Sequence, residues 1–560
     1  MRLRLLGLLV VPPALLVARA APADPPPGVA AAPAVAYIGP DEVATRLRAL
    51  EGPSAKVESY GRSAGGRDLL LIRIGRPGLP QVLVHGGVGD RDAAGTAAAL
   101  DFAARILAPP PEGKDGPLAT VGFLVIPAPN PDALAGFLAG KGFSRGGGDV
   151  DRDKDGKAGE DGPDDLDGDG EILWMRRKSP TGTFVVDEVP AAPGAPVGPA
   201  AKKTGDPRLM KAAGVDARRA VSYDLPVPEG RDDDGDGDVN EDPPGQDLTR
   251  NFIGVWEESG PWPGEGPFPG SAPEVAALME LSFDTANLVA WYGFASEGPR
   301  LERASERGKE ADADDATYAL LAPAWKAASG LELRKASERP GAASNPGSEL
   351  DWAARHLGVV AVRVPVWHIA KEEENGRERQ DPDELDWLLW NDRALEGKGF
   401  VPWHEVRHPQ WGTVEVGGWR RFTRYEPPKD ALEAAVRRVS MVPAVHAAFA
   451  PRLVVLAEAV LAGAGLVRIK ARAANVGGAP TDAASAVLAR RSMGVRLSFG
   501  PAEGVTVLSG PKRADAGVLA AGGASEAFEW LVKPLGRPAL GTVTAVHRVA
   551  GQATKEVAAP

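Results

Sequence analysis

The 560-residue chain contains no cysteine. Without thiols it can form no disulfide, no thiolate zinc site, no iron–sulfur cluster and no cysteine nucleophile. Long apolar runs are also missing: the run at residues 5–17 is short and is interrupted by two prolines, so no membrane span is predicted. Basic charge is in deficit, with 64 Lys and Arg against 76 Asp and Glu, which argues against a nucleic-acid partner.

The first twenty residues predict a signal peptide. Two arginines precede the apolar run, and Ala-Arg-Ala at residues 18–20 suits cleavage. Residues 21–36 are rich in proline and alanine and predict a flexible leader. We therefore expect an exported protein, located in a periplasm or outside the cell.

The acidic excess is concentrated in two short segments. Residues 149–171 carry eleven acidic and three basic side chains, and residues 231–242 carry seven acidic and one basic. Together they hold a net charge of −14, against −12 for the whole chain, so the remainder is close to neutral. The acidic balance is therefore a property of these segments and says little about a substrate.

Alternating strand and helix patterns begin near residue 37. Apolar runs at 69–74, 81–85 and 121–126 predict strands, and the pattern at 94–107 predicts a helix. Further elements are predicted at 273–283 (helix), 288–292 (strand), 349–356 (helix), 359–366 (strand) and 429–463 (helix). Strands that alternate with helices predict an α/β fold, a mixed sheet flanked by helices, with ligands bound at the carboxyl ends of the strands.

From about residue 466 the pattern changes to short segments of alternating polarity, which predict a small all-β sandwich. We place the boundary near residue 455. The predicted organisation is a sheet domain at 37–455, with an acidic insertion at about 133–246, followed by a sandwich at 456–560.

Carboxylates recur at alternate positions in three loops that turn at a glycine. The members are Asp151, Asp153, Asp155, Glu160 and Asp161, then Asp165, Asp167 and Asp169, and then Asp232, Asp234, Asp236, Glu241 and Asp242. Such loops can surround a hard cation, and calcium accepts about six to eight oxygens in irregular geometry. Since clustered carboxylates repel each other, we predict structural calcium that orders the insertion. The alternative is a solvated acidic loop, because Gly162 and Pro243 stand where a calcium loop has a bidentate Glu.

Several segments resemble the zinc metallocarboxypeptidase family (carboxypeptidase A-like). Residues 61–67 are similar to its Gly-x-Ser-x-x-Gly-Arg element, and residues 127–132 to its Pro-x-x-Asn-Pro-Asp turn. Residues 247–252 resemble its Asp-x-Asn-Arg-Asn-Phe segment, and residues 266–274 resemble the segment that follows. The segments stand in the family's order, and the β-rich tail resembles bacterial exported members that carry an extra C-terminal sandwich.

The resemblance implies a zinc ion held by a His-x-x-Glu pair and a distant His, with a Glu as general base. At the matching positions this sequence has Gly89 and Asp92, Trp291, and Pro365. Glycine and tryptophan cannot ligate zinc, and proline cannot accept a proton. The zinc site and the general base are therefore expected to be lost, with Asp92 left as one weak ligand. A relocated site built from His85, His368 and Asp92 is the alternative.

The resemblance also places Arg91 and Arg250 where the family's arginines contact substrate, with Arg250 at the terminal carboxylate. A guanidinium binds a carboxylate through two parallel hydrogen bonds. Thr249 replaces the usual Asn, and pairing of the arginines with local acids such as Asp92 or Asp247 is the alternative.

The leading hypothesis is an exported, catalytically inactive carboxypeptidase-like protein that binds a peptide or another carboxylate-bearing ligand. One alternative is an active exported metallocarboxypeptidase with relocated ligands. The other is a structural or adhesion protein that uses the calcium loops and the sandwich. The sequence predicts no oligomeric state.

Overall fold

The structure is a computed structural model. It describes residues 34–110, 112, 116–141, 145–152, 154–187, 206–213, 221–224, 226–241, 243–254, 266–304, 313–335, 338, 347–369, 381–488, 490–536 and 539–560. The predicted signal peptide, most of the predicted leader, and Asp153 and Asp242 of the acidic loops lie outside these residues.

The helices are numbered in chain order. They are α1 Pro40–Ala49, α2 Ala93–Ile106, α3 Pro131–Leu138, α4 Pro273–Asp284, α5 Asp315–Ser329, α6 Glu349–Trp352, α7 Glu384–Ala394, α8 Leu432–Val439 and α9 Ala484–Leu488. Helix α6 continues directly into a π-helical turn at Ala353–Leu357. None of the helices in the described ranges combines the length and the apolar character of a membrane span.

The strands before residue 370 are β1 Ala55–Arg62, β2 Asp68–Ile74, β3 Gln81–His85, β4 Gly122–Ile126, β5 Trp174–Arg176, β6 Phe184–Val186, β7 Met210–Ala212, β8 Ser222–Tyr223, β9 Val227–Pro228, β10 Leu288–Glu297, β11 Leu301–Arg303, β12 Leu333–Lys335 and β13 Val360–Trp367. The later strands are β14 Phe400–His408, β15 Gly412–Trp419, β16 Leu453–Gly463, β17 Leu466–Asn475, β18 Val495–Pro501, β19 Val505–Ser509, β20 Ala514–Gly517, β21 Phe528–Pro534, β22 Ala539–His547 and β23 Gly551–Ala558.

The main sheet has eight strands in the order β1-β2-β4-β3-β10-β13-β11-β12. Strand β3 runs parallel to β4 and β10, and β10 runs parallel to β13. The β1–β2, β2–β4 and β11–β13 pairs are antiparallel. The predicted α/β class, a mixed sheet flanked by helices, is therefore confirmed. The parallel centre brings the carboxyl ends of β3, β10 and β13 to one edge of the sheet.

The two faces of the sheet bury different cores. On β3, Val82 and Val84 belong to the larger core, which includes most of α2, whereas Leu83 belongs to a smaller core with Trp291 and Ala361. Because side chains alternate along a strand, residues two positions further along β3, β10 and β13 lie on the face of the smaller core.

Helix α2 lies close against the larger-core side of the sheet. Its sequence is rich in alanine, and nearly all of its residues are buried. At Gly95 a Cβ atom would lie only 2.2 Å from the carbonyl oxygen of Gly86, so this close approach requires glycine. The short side chains thus bring the helix N-terminus next to the end of β3.

The C-terminal strands form two antiparallel sheets in the orders β16-β17-β21-β19 and β20-β18-β22-β23. They share one core, which includes Val455, Ile469, Leu497 and Trp530. The predicted all-β character of this region is confirmed. The helix predicted over 429–463 is wrong from Leu453 onward, because this segment forms the hairpin strand β16 paired with β17.

The sandwich contacts the sheet domain through α9. The carboxylate of Asp314, at the N-terminus of α5, accepts hydrogen bonds from the Ser485 backbone N–H and hydroxyl. Gly358, which ends the π-helical turn, faces Ala486, and a Cβ atom at Gly358 would lie 2.8 Å from the Ala486 Cβ.

The described part of the acidic insertion consists of loops and short strands. Strands β5 and β9 extend the β14–β15 hairpin into a sheet in the order β14-β15-β5-β9, and β7-β6-β8 form another. In the described segments between 139 and 272 no α-helix occurs, so the acidic loops are not flanked by α-helices there.

Candidate functional site

A row of polar residues crosses the sheet near the carboxyl ends of its central strands. The strand register pairs Gly293 of β10 with His85 of β3 on one side and with Arg363 of β13 on the other. Arg363 is paired in turn with Glu302 of β11. Alternation places these residues on the face of the smaller core, two residues beyond the buried Trp291.

Glu349, the first residue of α6, lies over this row. Its Oε1 accepts a hydrogen bond from Arg363 Nη2 at 3.3 Å, and its Oε2 lies 3.6 Å from His85 Nε2. A Cβ atom at Gly293 would lie 2.7 Å from His85 Nε2 and 3.2 Å from Glu349 Oε1. Glycine at position 293 therefore makes room for His85 and Glu349 to approach each other.

His85 is fully buried, and its hydrogen bonds define its tautomer. Its Nδ1 accepts the Gly87 backbone N–H at 3.2 Å. The neutral ring therefore carries its proton on Nε2, which points toward Glu349 at a distance too long for a hydrogen bond. Burial lowers the pKa of His85, and the charge of Glu349 opposes this effect only in part. The ring is thus neutral near pH 7.

Arg363 lies between two buried carboxylates. Besides its bond to Glu349, its Nη1 lies 3.7 Å from Glu302 Oε2. Glu302 also pairs with Arg334 on β12, at 3.0 Å. Burial disfavours the charged guanidinium, but the carboxylates of Glu349, Glu302 and Asp92 outweigh it and raise the pKa of Arg363. The edge of the sheet therefore holds a fixed positive charge.

Asp92 follows β3 and is held by backbone donors. Its Oδ2 accepts the Gly89 N–H at 2.7 Å, and its Oδ1 accepts the Ser296 N–H at 2.9 Å. Burial raises the pKa of Asp92 to about 6, although both hydrogen bonds favour the ionised form. A Cβ atom at Gly89 would lie 2.6 Å from Asp92 Oδ2. The two residues at the expected His-x-x-Glu positions therefore form a loop contact, and this contact leaves no room for a side chain at position 89.

Glu426 adds a second carboxylate beside Asp92. It is fully buried and accepts the backbone N–H groups of Ala93 and Ala94 at the start of α2, together with the Ser296 hydroxyl. Burial raises the pKa of Glu426 to about 8, and the Ser296 hydrogen bond opposes that rise. The N-terminus of α2 is thus capped from a segment far along the chain.

Trp291, at the expected position of the second histidine ligand, lies in the strand interior. It is fully buried, and its ring centroid lies 5.2 Å from that of His85 and 5.4 Å from that of Trp352. The indole therefore belongs to the packed smaller core.

Pro365, at the expected general-base position, is buried and pairs with Ala295 in the sheet register. His368 follows the end of β13, and its Nδ1 lies 2.9 Å from the Ile369 carbonyl oxygen. Among the described residues, metal-binding side chains converge in groups of three at two places, and neither includes His85, Asp92 or His368. The structure does not bring the relocated set together.

The two predicted substrate arginines lie in different settings. Arg91 is half-buried; its Nε lies 3.3 Å from Asp90 Oδ1, and its guanidinium lies 4.5 Å above the ring of Tyr425. Asp90 is therefore an acidic neighbour of Arg91. Arg250 is half-buried at the end of the 3-10 turn Leu248–Arg250.

Asp247 caps the turn that carries Arg250. Its Oδ1 accepts hydrogen bonds from the Thr249 N–H at 3.0 Å and from the Thr249 hydroxyl at 2.6 Å. Thr249, which stands where the family has Asn, thus stabilises the turn locally.

The segments that carry the family resemblance meet in the structure. Within the turn at residues 61–67, the Gly65 N–H donates to Asp132 at 2.7 Å and the Ala64 N–H donates to Glu274 at 3.0 Å. Asp132 belongs to the Pro-x-x-Asn-Pro-Asp turn, and Glu274 belongs to the start of α4. These residues are therefore structural ties between loops.

The same turn contains the Gly-x-Ser-x-Gly spacing of a serine hydrolase elbow, with Ser63 at the nucleophile position. An elbow requires a turn from a strand into a helix, whereas this turn joins the antiparallel strands β1 and β2. Ser63 is buried, and its hydroxyl accepts the Arg67 backbone N–H at 3.0 Å. The spacing therefore carries no nucleophile.

Two acidic loops bring carboxylates together. Asp232, Asp234 and Asp236 offer oxygen atoms that all lie within 4.8 Å of one another. The Asp232 carboxylate also accepts the N–H groups of Gly235 and Gly237, which fold the loop around it. In the first loop Asp153 lies outside the described residues.

The loop with Asp165 and Asp167 is joined by a distant residue. Asp165 and Asp167 converge with Glu229, whose carboxylate is fully buried and accepts the N–H groups of Leu166 and Leu173. Burial raises the pKa of Glu229 to about 7. Asp169 does not join this group, and its carboxylate accepts the Glu171 N–H at 2.8 Å.

The sequence did not identify Glu349, Glu302 and Glu229 as site residues, because no motif around any of them indicates a site. A signal did exist for Arg363, because it is the one charged residue in the apolar run at 359–366. A lone charge within a buried strand indicates a buried partner.

Comparison with known proteins separates the two regions of the chain. A family model described as "Domain of unknown function (DUF8731)" matches residues 454–558, which comprise the sandwich. No curated protein matches the chain.

Similar solved structures are metallocarboxypeptidases or relatives of them. Carboxypeptidase A from Helicoverpa armigera is 13% identical, with 73% of each chain covered and a TM-score of 0.41. Bovine thrombin-activatable fibrinolysis inhibitor, solved with a tick carboxypeptidase inhibitor, is 11% identical over 73% of this chain and 96% of that chain, with a TM-score of 0.39. A metallo-carboxypeptidase from Pseudomonas aeruginosa is 14% identical over 73% and 67%, with a TM-score of 0.32. At these TM-scores the likenesses carry no weight for chemistry, which has to be judged from the residues of the site.

Proposed function

We propose that this chain is a carboxypeptidase-like protein that does not hydrolyse peptides through a metal-activated water, and that it binds a peptide or another carboxylate-bearing ligand. The observation that carries the proposal is the guanidinium of Arg363, held between Glu349 and Glu302 at the sheet edge. A fixed cation repels a metal ion and occupies the carboxylates that such an ion would need.

The donors at this edge do not fit a catalytic zinc ion. Such an ion needs three protein ligands, an open position for water and a base to accept the proton of that water. The His85 Nε2 atom carries a proton, and the Asp92 oxygens already accept two backbone N–H groups. Pro365 offers no base. The residues present therefore do not support hydrolysis through a metal-activated water.

Release of C-terminal residues from peptides tests the absence of hydrolysis. We expect no release, whether zinc or a chelator is added. Release that depends on zinc and stops with chelator would contradict the proposal. The comparison uses the chain after its predicted signal peptide has been removed.

Carboxylate binding is tested with a short peptide and its C-terminal amide. If Arg250 contacts a terminal carboxylate, the free acid binds and the amide binds at least about tenfold more weakly. Arg250→Met should remove this difference, whereas Arg468→Met, at an exposed position of the sandwich strand β17, should leave it unchanged. Equal binding of acid and amide would refute carboxylate recognition.

One observation favours an active enzyme as the second candidate. Two ligands of one tetrahedral zinc ion lie about 3.4 Å apart, and His85 Nε2 lies 3.6 Å from Glu349 Oε2. Binding would require His85 to give up its Gly87 hydrogen bond and to move its proton to Nδ1. Under this alternative His85→Ala and Glu349→Gln each abolish zinc binding, whereas under the leading proposal neither variant changes the metal content.

We further propose that the acidic loops bind structural calcium, on the basis of the convergent Asp232, Asp234 and Asp236. Isothermal titration of the full chain with calcium should give heat that Asp234→Asn reduces. Asp238→Asn is the matched control, because it removes the same charge from an exposed residue outside the group. Absence of heat with the unmodified chain would contradict the proposal.

Export is proposed on the predicted signal peptide alone. N-terminal sequencing of the protein from culture fractions tests it, with cleavage expected near residue 20. An uncleaved protein confined to the cytoplasm would refute it.

A further inference from the structure

We propose that the C-terminal sandwich is a brace for the candidate site. Through α9 it holds α6 and the π-helical turn, and with them Glu349, against the edge of the sheet. The proposal gives a role to the region matched by the family of unknown function, and it does not depend on whether the site binds a ligand.

The first contact is steric. Gly358 ends the π-helical turn with a φ of 68°, and a Cβ atom at this position would lie 2.8 Å from Ala486 Cβ in α9. The helix therefore lies directly against the end of the turn. A π-helical turn is rare and occurs mostly as a single turn within an α-helix. Any outward movement of the turn would be transmitted to α6, because the two are continuous.

The second contact is polar. Asp314 is 9% exposed, and its carboxylate accepts both the N–H and the hydroxyl of Ser485. Asp314 precedes α5, whose Tyr318 hydroxyl donates to the Ala361 carbonyl oxygen and accepts the Ala361 N–H, both at 3.1 Å. Ala361 lies two residues before Arg363 on β13. The sandwich thus touches the supports of both Glu349 and its partner Arg363.

Helix α9 is itself anchored in the sandwich. Asp482, two residues before it, lies 2.9 Å from His547 Nε2, and both residues are more than nine-tenths buried. The neighbouring Thr481 hydroxyl accepts the Leu519 N–H at 3.0 Å. These bonds fix the start of α9 to strands and loops of the sandwich core. The helix is therefore held in place where it contacts the π-helical turn.

The contacts of Glu349 depend closely on the position of helix α6. Its hydrogen bond to Arg363 is 3.3 Å long, close to the limit for such a bond. A displacement of α6 by about 1 Å would break it. Glu349 would then lose its charged partner while still buried.

The test uses the full chain and two readouts. In Ser485→Ala, which removes the hydroxyl bond to Asp314, we expect hydrogen exchange of residues 349–357 to accelerate by about tenfold. We also expect the imidazole NMR signal of His85 to move, because Glu349 Oε2 lies 3.6 Å from its Nε2. Ser509→Ala, in an exposed strand of the sandwich, is the control and should change neither readout.

Ala486→Leu is the stronger perturbation, because its longer side chain must displace the turn. If this variant fails to fold, Ser485→Ala alone decides the question. Faster exchange confined to α9, with residues 349–357 and the His85 signal unchanged, would contradict the proposal that the sandwich positions Glu349. A shift of the His85 signal without any change in the unfolding midpoint would distinguish positioning from a general loss of stability.

Discussion

Gly293→Ala tests the packing of the candidate site with a single methyl group. The added Cβ would lie 2.6 Å from His85 Cε1, 2.7 Å from His85 Nε2 and 3.2 Å from Glu349 Oε1. His85 cannot move into solvent, because it is fully buried, bonded to the Gly87 N–H and packed against Trp291. Forcing a methyl group into such a space costs about 1–3 kcal/mol.

An effect of the substitution on the unfolded state offsets part of this destabilisation. Alanine restricts the unfolded chain more than glycine does, which contributes about 0.5–1 kcal/mol in favour of the variant. We therefore expect a net loss of about 1–2 kcal/mol. Denaturant unfolding of the full chain, followed by a probe of the sheet domain, measures it.

Gly500→Ala is the matched control for this experiment. Gly500 also lies in a β-strand, but a Cβ atom there would meet only the Thr542 carbonyl oxygen, at 3.8 Å. We expect this variant to be neutral or slightly stabilising. In a His85→Ala background the Gly293→Ala cost should vanish, because the clashing ring is gone. Equal stabilities for the two glycine variants, or additive costs in the double variant, would refute the packing.

Three further outcomes follow. Arg363→Met should destabilise the fold by about 3–5 kcal/mol in denaturant unfolding, because Glu349 keeps its buried charge without a partner; a change under about 0.5 kcal/mol would refute the pairing. For Glu229, burial raises the folded-state pKa to about 7, so without calcium this group's contribution to stability is full below its unfolded pKa and is lost as pH rises through about 7. Glu229→Gln should remove this pH dependence from the free energy of unfolding. An unchanged pH dependence would contradict the raised pKa of Glu229. Burial opposes ionisation of Asp482, but the hydrogen bond and charge of His547, together with hydrogen bonds from Ser492 and Thr481, outweigh it and lower the pKa of Asp482. Its contribution is therefore present above the unfolded pKa and lost as pH falls through the folded one, and His547→Gln should remove this loss in acid unfolding.

The sheet domain was predictable where strands are fully buried. The run at 81–85 matches β3 because a central parallel strand needs apolar side chains on both faces. The segment at 453–463 shows the limit of such reasoning. Its apolar residues fit a helix or a strand equally well, and the outcome depends on a hairpin turn at 463–465 and on pairing with β17. The segment at 453–463 is only one of the two strands in that pairing, so its own sequence cannot determine the outcome.

The candidate site was predictable only where its residues are close in sequence. Gly89 and Asp92 lie together as expected, because one loop carries both. Glu349 and Arg363 come from separate elements, and their contact depends on how α6 crosses the sheet. Similarly, Glu229 joins Asp165 and Asp167 from the position that follows β9, more than fifty residues along the chain. Whether these acidic groups bind calcium stays a prediction.

Elemental analysis of the purified protein decides whether Arg363 or a metal ion supplies the positive charge at the sheet edge. After dialysis against buffer with trace zinc, we expect less than one zinc ion per chain, with no difference between the unmodified protein and His85→Ala. One tightly held zinc ion per chain, lost in His85→Ala, would contradict it.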